Sequence, residues 1–326
     1  MVQFNSVFKK EFIDLIELKR SMGFKYCSEE ASFKRIDNFF CEENLSNKVI
    51  TKSLTDKWNA KRDWENDCNR NSRVSNLRVF SNYLLDLGYE VYVTPINSFK
   101  KGPKYNAHIY SQDELKRFFK AVDESKSILS ECPYRDVVMP VFFRILYTSG
   151  LRVSELRLLK LKDIHEDKSY ITIIDGKNHK DRIVPINDEL AARCKVIRNS
   201  IHSNSDENEY FFKIRDGECM TLQNVYDNFR RYLDKAHISH TGKGPRVHDF
   251  RHTYCINLLR KWFLEGKDLL NYLPYMKTML GHETFDETAY YLKLTKEIFP
   301  DITLRLETTY SKFIETVEVN DDEEYY

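Results

Sequence analysis

Apolar residues recur at helical spacing through the first quarter of the chain. Phe8, Phe12, Leu15, Ile16 and Leu18 form one run, and Leu77, Val79, Phe80, Tyr83, Leu84 and Leu87 form another. Ser28 followed by Glu29 and Glu30 predicts a helix start, with two acids in the electropositive first turn. Gly88, directly after Leu87, reads as a helix stop. Residues 1–95 are therefore expected to be all-helical. The periodicity fails over residues 93–104, where Pro95, Pro103, Gly102 and three lysines accumulate. Residues 96–104 are assigned as an interdomain linker, with a boundary near 105.

Beyond it, Ser111 and Glu114 have the spacing of a capping box and open a new helix. An apolar segment over 137–147 predicts a buried helix. Two β-branched runs, 170–174 and 182–186, flank the polar turn 175–181 and predict a β-hairpin. Helical patterns resume from about Asn224. The expected class is mostly α with a small β-sheet: an all-helical N-terminal domain, an α+β domain over 105–310 and an acidic tail over 311–326.

Composition narrows this little. A hydrophobic content of 41% with 13% aromatics fits a packed globular chain, and no apolar run approaches the ~20 residues that span a bilayer. Met1-Val2-Gln3-Phe4 leads into mixed charge rather than a basic-then-apolar leader, so a cytoplasmic location is expected. The seven cysteines form no Cys-x-x-Cys pair, as reduced, packed thiols would. The net charge of +1 conceals a segregation. Residues 311–326 hold six acids and one lysine, which leaves 50 basic against 44 acidic residues elsewhere. A local basic face is permitted, though bulk charge cannot supply specificity for nucleic acid.

Five short segments carry candidate chemistry. Arg152 lies in a turn within Thr148-Ser149-Gly150-Leu151-Arg152-Val153-Ser154-Glu155-Leu156, after a helix expected to end at Gly150. Lys177 follows Gly176 at the hairpin tip, and Lys180 follows three residues later. His248 and Arg251 stand three apart in Val247-His248-Asp249-Phe250-Arg251-His252-Thr253, a spacing that on a helix turns both to one side. His282 follows Gly281, the expected end of a helix from Leu273, and is expected at a loop mouth. Tyr290 and Tyr291 lie in Thr288-Ala289-Tyr290-Tyr291-Leu292. Each has an ordinary alternative: a solvated turn arginine, a charged hairpin tip, a hydrogen-bonded surface pair, a core tyrosine. Together they make two arginines, a lysine, two histidines and a tyrosine, without a carboxylate–histidine cluster arranged for a metal. Guanidiniums can grip phosphodiester oxygens and neutralise transition-state charge. A tyrosine can attack phosphorus if its proton is drawn off, and a lysine can protonate the leaving oxygen.

The ordered set TSGLRVSEL, GK in a hairpin ending in RIVPI, HDFRHT, LGH and T-x-x-Y resembles the tyrosine recombinase (phage integrase) family over residues 105–310. The resemblance implies that Arg152 and Arg251 bind the scissile phosphate. It makes Lys177 the general acid, with Lys180 as the fallback. His248 assists proton transfer from the nucleophile, and His282 orients and stabilises the phosphate. Tyr291 is the implied nucleophile rather than Tyr290, because the family spacing from the L-G-H histidine and the T-x-x-Y register both select it. The implied reaction leaves a 3′-phosphotyrosine and a free 5′-hydroxyl and needs no cofactor, ATP or metal. Residues 1–95 are similar in size to the family's SAM-like core-binding domain.

The implied partners are double-stranded recombination sites, three further copies in a tetramer on DNA, and possible partner recombinases or a directionality factor. A nucleoid-associated location follows from that. The segment between His252 and Leu280 is longer than in Xer-type resolvases, which leans the expected role towards integration, excision or transposition of a mobile element. A Xer-like resolvase, a type IB topoisomerase-like enzyme and a DNA-binding regulator without catalysis stay open as alternatives. In the family a tail such as the one from Ile298 to Phe313 docks on a neighbouring protomer; packing on its own domain is the alternative.

Overall fold

A computed structural model describes residues 2–96, 98–99, 106–126, 132–176, 181–215, 218–241 and 244–298. Lys177, Lys180, most of the expected linker and the tail segments lie outside the described residues. The chain divides into two compact units, Met1–Lys104 and Tyr105–Tyr326.

The described residues of the first unit form four helices: α1 (Lys9–Ser21), α2 (Cys27–Glu42), α3 (Lys52–Asn59) and α4 (Asp67–Asp86). Its core is aromatic. Phe12 stacks on Phe80 with ring centroids 3.9 Å apart, and Phe8, Phe33 and Phe40 close around the pair. Side-chain caps set two of the starts: Thr51 Oγ1 accepts from Leu54 N–H and Asn66 Oδ1 from Asn69 N–H. α2 begins at Cys27 rather than Ser28, behind Tyr26 in the left-handed region (φ 50°). The α4 stripe is Val74, Leu77, Phe80, Ser81 and Leu84. Val79, counted in the sequence periodicity, is exposed, because it stands about 200° around the helix from Leu77.

The second unit opens with α5 (Gln112–Asp123), whose Ser111–Glu114 capping box forms in both directions. α6 (Arg135–Ser149) and the short α7 (Val153–Arg157) follow. Then come β1 (Ile164–His165), β2 (Tyr170–Ile173) and β3 (Arg182–Pro185), an antiparallel sheet in the order β1-β2-β3. The expected hairpin is β2–β3, with Ile171 opposite Val184 and Ile173 opposite Arg182; the two-residue β1 is too short to leave a sequence period. Ile171, Ile173 and Val184 face the core while Ile183 faces out, the alternation of a half-buried sheet. The hairpin's described ends are joined by Asp175 N–H donating to Asp181 Oδ1 (2.9 Å).

The unit ends in α8 (Asp188–Ile201), α9 (Leu222–Lys235), α10 (Asp249–Leu264), α11 (Leu269–Leu280) and α12 (Phe285–Ile298). α11 starts a turn before the expected Leu273, capped by Asp268, and runs through Pro274. The buried stripe Leu269, Leu273, Met276 and Leu280 outweighs the amide that proline lacks. α10 contributes to two cores. Phe250 packs among Phe118, Phe143 and Phe229, while Cys255, Ile256 and Leu259 pack with α11 and with Tyr291 and Leu292 of α12. No described helix is long and apolar enough to cross a membrane.

Candidate active site

The ends of α6 and α11 build the site. Each helix terminates at a glycine in the left-handed conformation, Gly150 (φ 64°) and Gly281 (φ 65°), and one guanidinium, that of Arg251, reaches carbonyls at both ends. Gly150 is also a close approach, since a Cβ there would sit 2.7 Å from the Tyr254 ring. The carbonyl end of a helix is its electronegative pole. Arginines occupy both poles.

Arg251, in the first turn of α10, is 1% exposed. Its Nη1 donates to Gly150 O (2.6 Å), and its Nη2 donates to Leu280 O (3.0 Å) and His282 Nε2 (2.7 Å). Arg152 sits at the N-cap of α7, equally buried, and its Nη1 donates to Leu280 O and Glu155 Oε1 (both 3.3 Å). The Leu280 carbonyl thus receives both guanidiniums. Arginine planes held this way lose little freedom when an anion arrives.

His282 follows the helix end at Gly281, as expected, with its side chain turned inward and buried. The α11 C-cap pulls its backbone into the helix end, with His282 N–H donating to Lys277 O. A guanidinium can only donate, so His282 Nε2 is an acceptor and the ring proton lies on Nδ1, donated to Thr288 Oγ1 (2.8 Å). Thr288 and Tyr291 share a face of α12 at i and i+3. The Tyr291 ring lies parallel to His282 (centroids 6.1 Å apart, 7° between planes) and is almost fully buried. The ring also meets His252 and Tyr290, each with centroids 5.6 Å away. Tyr290 is half-buried.

His248 stands just ahead of α10 rather than within it, and its half-buried ring meets His252, four residues on, edge to face at 4.8 Å. The structure therefore brings together Arg152, Arg251, His282 and Tyr291, with His248 joined through His252. Lys177 lies outside the described residues.

Four contributors were not singled out from sequence: Glu155, Arg182, His252 and Thr288. All were inside the quoted motifs; Glu155, His252 and Thr288 meet Arg152, His248 and His282 nearby in the chain, but the Glu155–Arg182 pair and the Arg182–Met279 contact span 27 and 97 residues. Glu155 is the central one. Its Oε2 accepts from Arg182 Nη2 (2.7 Å) and from the backbone N–H of Arg152 (3.0 Å). Burial on its own would raise the Glu155 pKa, yet Arg182 first, then the charges of Arg152 and Arg251, reverse that and hold the carboxyl below the ordinary glutamate value.

Known proteins are similar to this chain in sequence and in fold. Residues 110–297 match the phage integrase family. The Sinorhizobium fredii protein y4rB, which carries an integrase/recombinase designation, is 28% identical over 313 residues, covering 93% of this chain and 98% of that protein. The tyrosine recombinase XerA of Thermococcus kodakarensis is 34% identical over 178 residues, 54% of this chain and 57% of that one. In fold, the chain is similar to the Tn1549 transposon integrase in complex with circular intermediate DNA, with a TM-score of 0.63 and 16% identity over 86% of this chain and 93% of that one. It is also similar to the XerH site-specific recombinase bound to palindromic difH substrate, with a TM-score of 0.61 and 17% identity over 87% and 78%. A family match across more than half of its length, falling on the unit that gathers the arginines, histidines and tyrosine, makes this chain a member of the phage integrase family of tyrosine recombinases.

Proposed function

We propose that this protein is a site-specific DNA recombinase that cuts and rejoins strands through a 3′-phosphotyrosine at Tyr291. The observation that carries the assignment of roles is the chain of contacts from Gly150 O and Leu280 O through Arg251 to His282, and from the His282 ring to the parallel ring of Tyr291. Arg152 and Arg251 hold the non-bridging oxygens of the scissile phosphate. Tyr291 Oη attacks phosphorus, the new O–P bond forms, and the bond to the 5′ oxygen breaks. The phenol, with an ordinary pKa of about 10, gives up its proton towards His248. Lys177, with Lys180 as the fallback, supplies a proton to the leaving 5′ oxygen. His282 keeps the Arg251 guanidinium in the plane that meets the phosphate. The phosphodiester energy stays in the adduct, so the 5′-hydroxyl of a partner strand can reverse the attack without ATP.

The substrate is double-stranded DNA carrying paired recombination sites, bound by four copies of the chain, and the role is mobility of a genetic element. Similarity across nearly the whole length to y4rB, with its integrase/recombinase designation, supports that role. Incubating the protein in EDTA with fragmented DNA of its own host, followed by denaturation and capture, tests the chemistry. A DNA adduct that maps to Tyr291 and disappears in Tyr291→Phe is the expected result. An adduct on Tyr290 would overturn the choice of nucleophile. DNA binding without any adduct would favour a non-catalytic regulator, and strand relaxation without a need for paired sites would favour a topoisomerase.

A further inference from the structure

Arg182 opens β3, directly after the hairpin turn, and its side chain is 5% exposed. Its Nε donates to Met279 O (3.0 Å) and its Nη2 to Glu155 Oε2 (2.7 Å). The next carbonyl along, Leu280 O, takes Arg152 and Arg251. Three guanidiniums therefore converge on two successive carbonyls at the electronegative end of α11, with the Glu155 carboxylate among them. Gly281 is what lets Arg182 lie across that end, since a Cβ there would stand 2.8 Å from Arg182 Nη1. The distances rank the partners of Glu155: 2.7 Å to Arg182 against 3.3 Å to Arg152.

That ranking decides which guanidinium Glu155 holds more closely. In a buried site a carboxylate that loses its nearer counter-ion is strongly uncompensated, and the remaining guanidinium is drawn to it. We propose that Arg182 is a positioning residue for strand cleavage: by taking the shorter ion pair with Glu155 at the end of α11, it keeps Arg152 from being drawn further onto that carboxylate and away from the transferring phosphate. Arg182 itself touches no reacting atom. The inference rests on the reading of Arg152 and Arg251 as phosphate-binding, and it adds the residue that keeps them so.

The test is single-turnover cleavage of a duplex bearing the site recovered from adduct mapping, with either a phosphodiester or a neutral methylphosphonate at the scissile position. A substrate without the phosphate charge has less need of surplus positive charge in the site. Arg182→Met is expected to slow phosphodiester cleavage by ~10²-fold, the size of losing one transition-state donor, and to slow methylphosphonate cleavage far less. Adding Glu155→Gln to Arg182→Met removes the stranded anion and is expected to recover about ten-fold on the phosphodiester. Arg182→Lys, which keeps the charge beside Glu155, is expected to stay close to the parent rate. Equal losses on both substrates, with no recovery in the double variant, would overturn the proposal and leave Arg182 a packing residue. If Arg182→Met does not fold, the double variant and Arg182→Lys decide in the same way, and a ~10²-fold loss in both counts against it. Arg152→Ala run beside them tests the underlying reading: if it shows no preference for the neutral substrate, the phosphate-binding assignment fails whatever Arg182 does.

Discussion

Glu155 is almost entirely withdrawn from water and still ionises more readily than a free glutamate, because three guanidiniums surround it. A carboxyl whose folded pKa lies below its unfolded value contributes stability that is complete above the unfolded value, about 4.5, and is lost as pH falls through the folded one. Urea unfolding between pH 7 and pH 3 should therefore show the protein losing stability on the acid side, and the gap between it and Glu155→Gln should narrow as pH falls. A gap that stays constant to pH 3 would mean that the ionised carboxylate is not what Glu155 contributes. Sequence made the polar residues of the site visible as types: Arg152, Arg251, His248, His282 and Tyr291 all stand in short motifs. It carried no sign of which groups pair. Nothing local to Ser154-Glu155-Leu156 announces that the carboxylate is shared with a residue 27 positions later. The tautomer of His282 likewise depends on meeting Arg251, 31 positions away.

At the scale of the elements, helix ends do the positioning. α6 and α11 both stop at glycines, and Gly281 meets two demands, a left-handed φ and contact with Arg182. Gly266, in the turn between α10 and α11, has the same sign of φ (74°) but nothing within 4 Å of a Cβ. The two positions separate the backbone cost from the contact cost. Gly266→Ala should lose about 1–2 kcal/mol, the left-handed penalty alone. Gly281→Ala should lose more, because the displaced Arg182 is already held by an ion pair. Thermal melting resolves the difference at ~2–4 °C per kcal/mol for a domain of this size, and equal losses would show that Arg182 gives way freely. Helices and the hairpin were legible because 3.6- and 2-residue periods are local. Their exact limits were not: α11 begins before Leu273 because one buried stripe outweighs Pro274, an effect set by packing against α10 and α12.

For the whole molecule, charge is unevenly distributed, with six acids in residues 311–326 against a basic surplus elsewhere. If the tail joins copies together, as the family resemblance implies, removing residues 310–326 should weaken assembly on paired sites and leave single-site binding unchanged. Gel-shift titrations with one-site and two-site DNA measure both, and unchanged assembly would assign the tail to its own copy. Sequence by itself determined the mostly helical class, the hairpin, the order of the motifs and through them the family, since all of these are written in residues within a few positions of each other. Tertiary structure alone decided that Arg152, Arg182 and Arg251 converge on Met279 and Leu280, across separations of 128, 97 and 29 residues. It also decided that Tyr291 is buried against His282. The reason is physical: a periodic pattern states which face of an element is apolar, but the partner of a buried charge is chosen only when elements distant in the chain pack and exclude the water that would otherwise solvate it.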